Sequence, residues 1–386
     1  MPFYHRQGEI PSKRHTQFRK PNGDLYAEEL ISTEGFSSIY SLVYHCYPPT
    51  LIKEIGSKPK DIRPEYVLKE NLKPRSLLGF RADPKSDYLD SRVVLMGNRD
   101  VCLSVAAPLH SMEGYFYKNA DADEVIFIHE GTGTFTSIYG SLDFKYGDYL
   151  VIPRGTIYTL DFNTSQNRLF ITESFSPIRP PKRYTNSHGQ LLEHAPYCER
   201  DIKTPELKNV FDQKGDFLVR IKKGGFLYDF TYASHPFDAI GWDGYVYPYI
   251  FSIHDFEPIT GRIHLPPPIH QTFEGHNFVI CSFVPRLYDY HPLSVPAPYN
   301  HSNVDSDEVL YYVDGDFMSR KHVEKGMLTL HPKGIPHGPH PGTVEKSIGQ
   351  KETGELAVMI DPFYPLHLTQ QALDFEDPTY YKSWVE

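Results

Sequence analysis

Asn119-Ala120-Asp121-Ala122-Asp123-Glu124-Val125 and Asn303-Val304-Asp305-Ser306-Asp307-Glu308-Val309 are one motif written twice, 184 residues apart. Each copy is followed by an alternating apolar run and then a glycine, Gly131 in the first and Gly315 in the second. Further on, Tyr146-Gly147-Asp148-Tyr149-Leu150-Val151-Ile152-Pro153-Arg154-Gly155 corresponds to Lys325-Gly326-Met327-Leu328-Thr329-Leu330-His331-Pro332-Lys333-Gly334. Such a repeat constrains the architecture before any single residue is interpreted, because both copies must fold as the same unit. Apolar and polar residues alternating at period two between Gly, Pro, Asp and Asn read as β-strand. Each copy therefore runs as an acid-bearing strand, a hairpin, a glycine-led strand and a Pro-basic-Gly turn, with one further residue of interest three positions on.

The rest of the chain agrees with that reading. Its 386 residues are enough for two or more units, and 33 prolines with 28 Tyr and 24 Phe favour many short strands over a helical bundle. Strands are predicted at 125–129, 133–139 and 149–152, and helices only near 49–54 and 366–374. A net charge of −10 argues against nucleic acid as a partner, which needs clustered Lys and Arg. The four cysteines, Cys46, Cys102, Cys198 and Cys281, form no CxxC pair, so neither a thiolate metal site nor a disulfide framework is expected. The N-terminus is polar, and no apolar run approaches the roughly 18 residues of a membrane span. The expected location is cytoplasmic.

This order of elements resembles the cupin β-barrel, with its Glu on one strand and a ligand His one hairpin later. The resemblance implies an all-β bicupin: two double-stranded β-helix (jelly-roll) barrels with an N-terminal arm and a C-terminal extension. The expected divisions are an arm and strands at 1–90, a degenerate metal-free barrel at 91–180, a linker and strands at 181–250, and an iron-binding barrel with extension at 251–386. At the cupin ligand positions the second copy has His301, Glu308 and His337, while the first has Tyr117, Glu124 and Tyr158. Of 19 histidines, 11 lie between His235 and His340, so imidazole is concentrated where a site would need it. Two imidazoles and a carboxylate on one face leave coordination positions open, the facial arrangement of Fe(II) oxygenases. One Fe(II) per chain is expected. His331 ends the strand before His337 and is placed to line the pocket or orient a ligand. His340, after Pro339, is expected at the surface. The stretch Ile253-His254-Asp255-Phe256-Glu257-Pro258, with His264 and His270 beyond it, holds the acid/base candidates, which the residues alone do not rank.

At these residues the chain resembles the homogentisate 1,2-dioxygenase family, Fe(II) bicupins of tyrosine and phenylalanine breakdown. Leu25-Tyr26-Ala27-Glu28 with Leu30 is similar to the family's N-terminal LYAE-x-L, and Pro298-Tyr299-Asn300-His301-Ser302-Asn303 to its P-Y-x-H-x-N. Leu330-His331 followed by Pro336-His337-Gly338-Pro339 resembles its LH and PHGP, and Tyr381 with Trp384 its terminal Y-x-x-W. The resemblance implies iron held by His301, Glu308 and His337, and an acid/base histidine that best matches His254. It implies a small aromatic carboxylate and O2 as reactants, ring cleavage to maleylacetoacetate, and a homo-oligomer, trimeric or hexameric. Alternatives are another hydroquinone carboxylate such as gentisate, or a metal-binding cupin without oxygenase activity. Where the family places an Arg and a Tyr to hold the substrate carboxylate, this chain has Asp314 and Phe317. Arg286, Arg262 or tyrosines are expected to substitute, with Tyr299 and His331 completing the pocket.

Overall fold

Alternation along the two acid-bearing strands decides how the halves pack. On strand Asp123–Glu130, Ile126 and Ile128 join one apolar cluster, while Val125 and Phe127 join another. On strand Glu308–Asp314 the same split recurs, with Leu310 and Tyr312 on one side and Val309, Tyr311 and Val313 on the other. Glu124 and Glu308 share the parity of the first set, because side chains alternate across a strand. Slipping either strand by one residue would exchange the two sets.

The computed structural model describes residues 3–69, 71–265, 267–317 and 323–385. It is a bicupin of nearly all β structure. In the N-terminal barrel, strand Asp123–Glu130 lies between Asp148–Ile152 and Arg168–Ser174 in an eight-stranded sheet. A second sheet containing Gly133–Ser137, Ile157–Phe162 and Phe116–Asn119 faces it. In the C-terminal barrel, Glu308–Asp314 lies between Met327–His331 and Leu356–Pro362 in a six-stranded sheet. Opposite that sheet, the described residues pair through a bridge between His301 and His337 and a short ladder of Arg286–Leu287 with Glu352–Thr353.

The repeated glycines have a backbone reason. Gly147 and Gly326 have φ of 84° and 78°, and Gly155 and Gly334 have 84° and 73°, so both turns of each copy use the left-handed region that glycine enters without a Cβ clash. The barrels also interlock. Arg75–Leu78, early in the chain, pairs with Met327–His331, and His367–Leu368 pairs with Val93–Gly97. The predicted helix at 49–54 is replaced by strand Ile52–Ile55, which pairs with Phe226–Ser234, whereas Gln370–Leu373 is a short helix capped by Thr369. Tertiary pairing overrode local propensity at the first site.

The barrels meet through one apolar seam, in which Phe170 stacks on Tyr311 at 4.5 Å and His129 Nδ1 lies 2.6 Å from the Tyr311 hydroxyl. Their interiors differ. Among the described residues the first is filled by 17 buried apolar residues including Ile126, Phe135, Tyr117 and Tyr158, whereas the second holds a smaller buried cluster of Tyr312, Phe317, Met327 and Ala357. A barrel this size is either packed solid or encloses a ligand space, and the second has a cavity in its wall of strands.

Outside the barrels, His45 is buried in the sheet of the N-terminal arm, with Nδ1 2.8 Å from Asp238 and Nε2 3.1 Å from Glu29. Burial opposes its charge, but the two carboxylates outweigh burial and raise its pKa from 6.5 to about 9. A group held above its unfolded value stabilises the fold fully below 6.5 and loses that contribution as pH rises through about 9. The loss is expected to reach about 3 kcal/mol. Urea unfolding on either side of that window checks it, and the pH-dependent difference should shrink in His45→Gln.

Candidate metal centre

His301 and His337 come together because their backbones pair: His301 N donates to His337 O at 2.8 Å, and His337 N to His301 O at 2.9 Å. The equivalent residues of the first barrel, Tyr117 and Tyr158, are paired in the same way across their ladder. The repeat seen in the sequence is thus also a repeat of register. Glu308 opens the neighbouring strand, opposite His331.

Each imidazole is turned by a carbonyl two residues earlier. His301 Nδ1 donates to Tyr299 O at 3.2 Å, and His337 Nδ1 to Ile335 O at 3.0 Å. In the neutral rings this leaves both Nε2 lone pairs facing inward. They point toward Glu308 Oε2, at 3.3 Å from His301 and 3.5 Å from His337. His337 Nε2 is buried and makes no hydrogen bond. One donor atom from each of the three residues lies within 4.8 Å of the others. Three converging acceptors repel one another unless a cation sits among them, so the donor set fits a divalent metal. When the imidazoles instead turn their protons toward Glu308, hydrogen bonds from His301, His331 and His337 outweigh burial and hold its carboxyl well below its ordinary value, so a cation and these protons compete for the same atoms.

His331 braces the other side of this carboxylate. Its Nδ1 is 2.9 Å from Glu308 Oε1, and its Nε2 is 3.2 Å from the Tyr380 hydroxyl on the C-terminal 3-10 turn. Partners of this kind orient a ligand and typically change metal affinity 10- to 100-fold. Tyr380→Phe is expected to weaken divalent-metal binding about tenfold, measured by chelator competition. His340, expected at the surface, is buried with its ring 4.6 Å from Trp384. The C-terminal turn covers it.

Asp361 was not singled out in the sequence. It follows Ile360, the partner of Val309, and so stands beside Glu308 at the cavity wall. Its Oδ1 is buried without a hydrogen bond, and burial followed by the neighbouring Glu308 raises its carboxyl well above the usual range. The first barrel shows the same acidic pair, Glu124 opposite Glu173, but there it is neutralised. Arg92 bridges the two at 2.9 and 3.0 Å, Lys222 also pairs with Glu173, and the Tyr158 hydroxyl donates to Glu124 at 2.8 Å. Where one barrel sets a guanidinium among its acids, the other sets two imidazoles and an open cavity.

That cavity, about 250 Å³, has His301 and Glu308 in its wall, and Tyr299, Arg286, His264, His270, Asp289 and Asp361 also line it. His254 is not brought there. It follows strand Tyr249–Ser252, which pairs with Asp148–Ile152 of the first barrel, and its exposed ring packs against Tyr146 at 5.3 Å. Of the acid/base candidates, His264 and His270 reach the cavity, and His264 has its ring 5.2 Å from Tyr299 and Nδ1 3.4 Å from Asp289. The signal for it was its place among the candidates after His254. What ranks it, the approach of Asp289 and Tyr299, exists only in the fold. Arg286 is already engaged, with Nη2 2.9 Å from Glu355 and Nη1 donating to Val284 O. Burial leads the causes that lower the His270 pKa, to about 3, so this ring is neutral. Asp314 pairs with Lys325, Arg262 is exposed, and Phe317 packs on Tyr312.

A family model described as the N-terminal region of homogentisate 1,2-dioxygenase matches residues 60–253. A Saccharolobus solfataricus protein named "Putative dioxygenase" is 42% identical over all of this chain and 99% of its own length. Homogentisate 1,2-dioxygenase of Oryza sativa is 25% identical over 78% of this chain and 68% of its own. A cupin 2 conserved barrel domain protein from Leptotrichia buccalis aligns with 78% of this chain and 100% of its own at 13% identity and a TM-score of 0.34. Among the described residues no helix is long and apolar enough to cross a membrane.

Proposed function

The chain belongs to the homogentisate 1,2-dioxygenase family, and from that premise we propose that it is an Fe(II)-dependent dioxygenase that opens a dihydroxylated aromatic ring, with homogentisate as substrate and maleylacetoacetate as product. The observation that carries this reading is the convergence of His301 Nε2, His337 Nε2 and Glu308 Oε2 at one end of a largely apolar cavity. Two imidazoles and one carboxylate are the donor set that suits Fe(II) and leaves positions open for other ligands. Iron held there would supply a Lewis acid for the ring oxygens and the electrons that activate O2.

The protein's own groups do the rest. The carbonyls of Tyr299 and Ile335 hold the two imidazoles in their ligand tautomers. His264 is the acid/base group. With Nδ1 turned toward Asp289, its Nε2 is the atom that takes the proton of a ring hydroxyl as substrate enters. Walls such as Leu265, Ile269, Phe283 and Leu310 exclude water from the ring.

The test is oxygen uptake by Fe(II)-loaded protein on addition of homogentisate, with the ultraviolet absorbance of the ring-opened product. His264→Ala should lower kcat with its pH profile flattened while metal content stays at the parental level. No uptake with homogentisate or gentisate, at full iron loading, would sink the reading.

A further inference from the structure

We propose that Asp361 is the second carboxylate of the metal centre: it stands outside the three donors and supplies the negative charge that, with Glu308, balances a divalent cation there. The proposal rests on reading His301, Glu308 and His337 as a metal cluster, and it is independent of the ring-opening reaction assigned to that cluster.

The first barrel shows what this fold does with two acids at that position. Glu124 and Glu173 stand opposite each other on neighbouring strands, as Glu308 and Asp361 do in the second barrel, where Val309 and Ile360 set the same register. Glu173 is not a passive neighbour. The Arg92 guanidinium reaches Glu124 at 2.9 Å and Glu173 at 3.0 Å, and Lys222 pairs with Glu173 as well. Two carboxylates thus meet two positive charges, and the sum is zero. A charged group taken out of water needs such a match.

In the second barrel the acids are kept and the cations are not. Among the described residues neither Glu308 nor Asp361 pairs with a lysine or an arginine; Glu308 meets imidazoles, and Arg286 on the same cavity wall is bound to Glu355. Asp361 Oδ1 is buried at that wall and makes no hydrogen bond. Neutral imidazoles bring no charge of their own, so Glu308 alone would leave a divalent cation with one positive charge uncompensated. Asp361 cancels it. One divalent cation then does in this barrel what Arg92 and Lys222 do together in the other, and attraction at this range is poorly screened inside a protein. Removing the charge at position 361 would cost metal affinity while leaving all three donor atoms in place.

The test reads metal binding directly. Fe(II) and Mn(II) are titrated anaerobically into the metal-free full chain, by calorimetry and chelator competition, for the parent, Asp361→Asn and Asp361→Glu. Asp361→Asn keeps the shape of the side chain without its charge and should weaken both metals at least about tenfold, whereas Asp361→Glu, which keeps the charge, should bind both close to the parental level. The metal-free thermal midpoint of Asp361→Asn should match the parent's, because Asp361 has no hydrogen bond at Oδ1 to lose, and the rise in midpoint on adding metal should shrink. Asp361→Ser takes the place of Asp361→Asn should the amide fold poorly. Parental metal affinity in the uncharged variant overturns the proposal. So does an affinity loss accompanied by a fall in the metal-free midpoint, the mark of a packing residue, or an equal loss in Asp361→Glu. If the parent turns over homogentisate while Asp361→Asn binds metal at parental affinity, this inference fails and the oxygenase reading stands. If no ring compound consumes O2 yet Asp361→Asn loses metal affinity as stated, the inference stands and the oxygenase reading falls.

Discussion

His337→Ala should yield a folded protein that binds iron at least about a hundredfold more weakly and has no measurable oxygen uptake, a larger loss than removal of an outer hydrogen-bond partner produces. The expectation follows from geometry: among the described residues His337 Nε2 is one of three converging donor atoms, is buried and makes no hydrogen bond. Folding should survive, because the His301–His337 bridge is made by backbone atoms that alanine retains. Metal analysis after reconstitution, chelator competition and oxygen consumption check it, with circular dichroism as the control. Iron retained at the parental level would show that the cluster does not hold the metal. The register of the repeat supplies a companion experiment. Tyr117→His with Tyr158→His recreates the imidazole pair in the first barrel but should not add a second iron, because Arg92 already occupies the space between Glu124 and Glu173.

The second large effect is expected at that arginine. Arg92→Met removes the cation from two carboxylates buried inside the first barrel. Burial by itself would raise the Glu173 pKa, but Arg92, Lys222 and Asn119 bring it down to about 2. Breaking a buried ion pair by deleting one partner costs about 3–5 kcal/mol, and the loss falls mainly on Glu124, which keeps the Tyr158 hydroxyl but no cation, while Lys222 still pairs with Glu173. Denaturant unfolding should show that loss. Arg92→Lys should recover part of it, because an ammonium cannot span both acids as the guanidinium fork does. The sign for pH follows from the depressed carboxyl: its stabilisation in the parent is present above 4.5 and is lost as pH falls through about 2. A variant unfolding at the parental midpoint would mean that the network contributes nothing net.

Much of the site could be read from the residues because the repeat carries its own alignment. Glu308 is identified by Glu124, and His301 and His337 by the tyrosines that stand at the same ladder positions. The helix predicted at 49–54 failed for the opposite reason: no repeat partner constrains it, and pairing with Phe226–Ser234 drew Ile52–Ile55 into a sheet. A motif of neighbouring residues points to His254, whereas His264 is the one at the cavity wall. The difference lies in the strand each follows, and His254 follows one that belongs to the first barrel's sheet.

The sequence by itself determined the two barrels, the unequal distribution of imidazole between them and the three residues whose donor atoms converge. These rest on short-range patterns, period-two alternation and turns whose glycines take positive φ, and such patterns survive in a linear string. Only the tertiary structure decided that Asp361 stands beside Glu308, that Tyr380 braces His331, that Arg92 fills one barrel and that a cavity opens beside His301 and Glu308 in the other. Those facts depend on side chains brought within a few ångströms from tens to hundreds of residues apart, where register and packing set the neighbours and local sequence carries no trace of them.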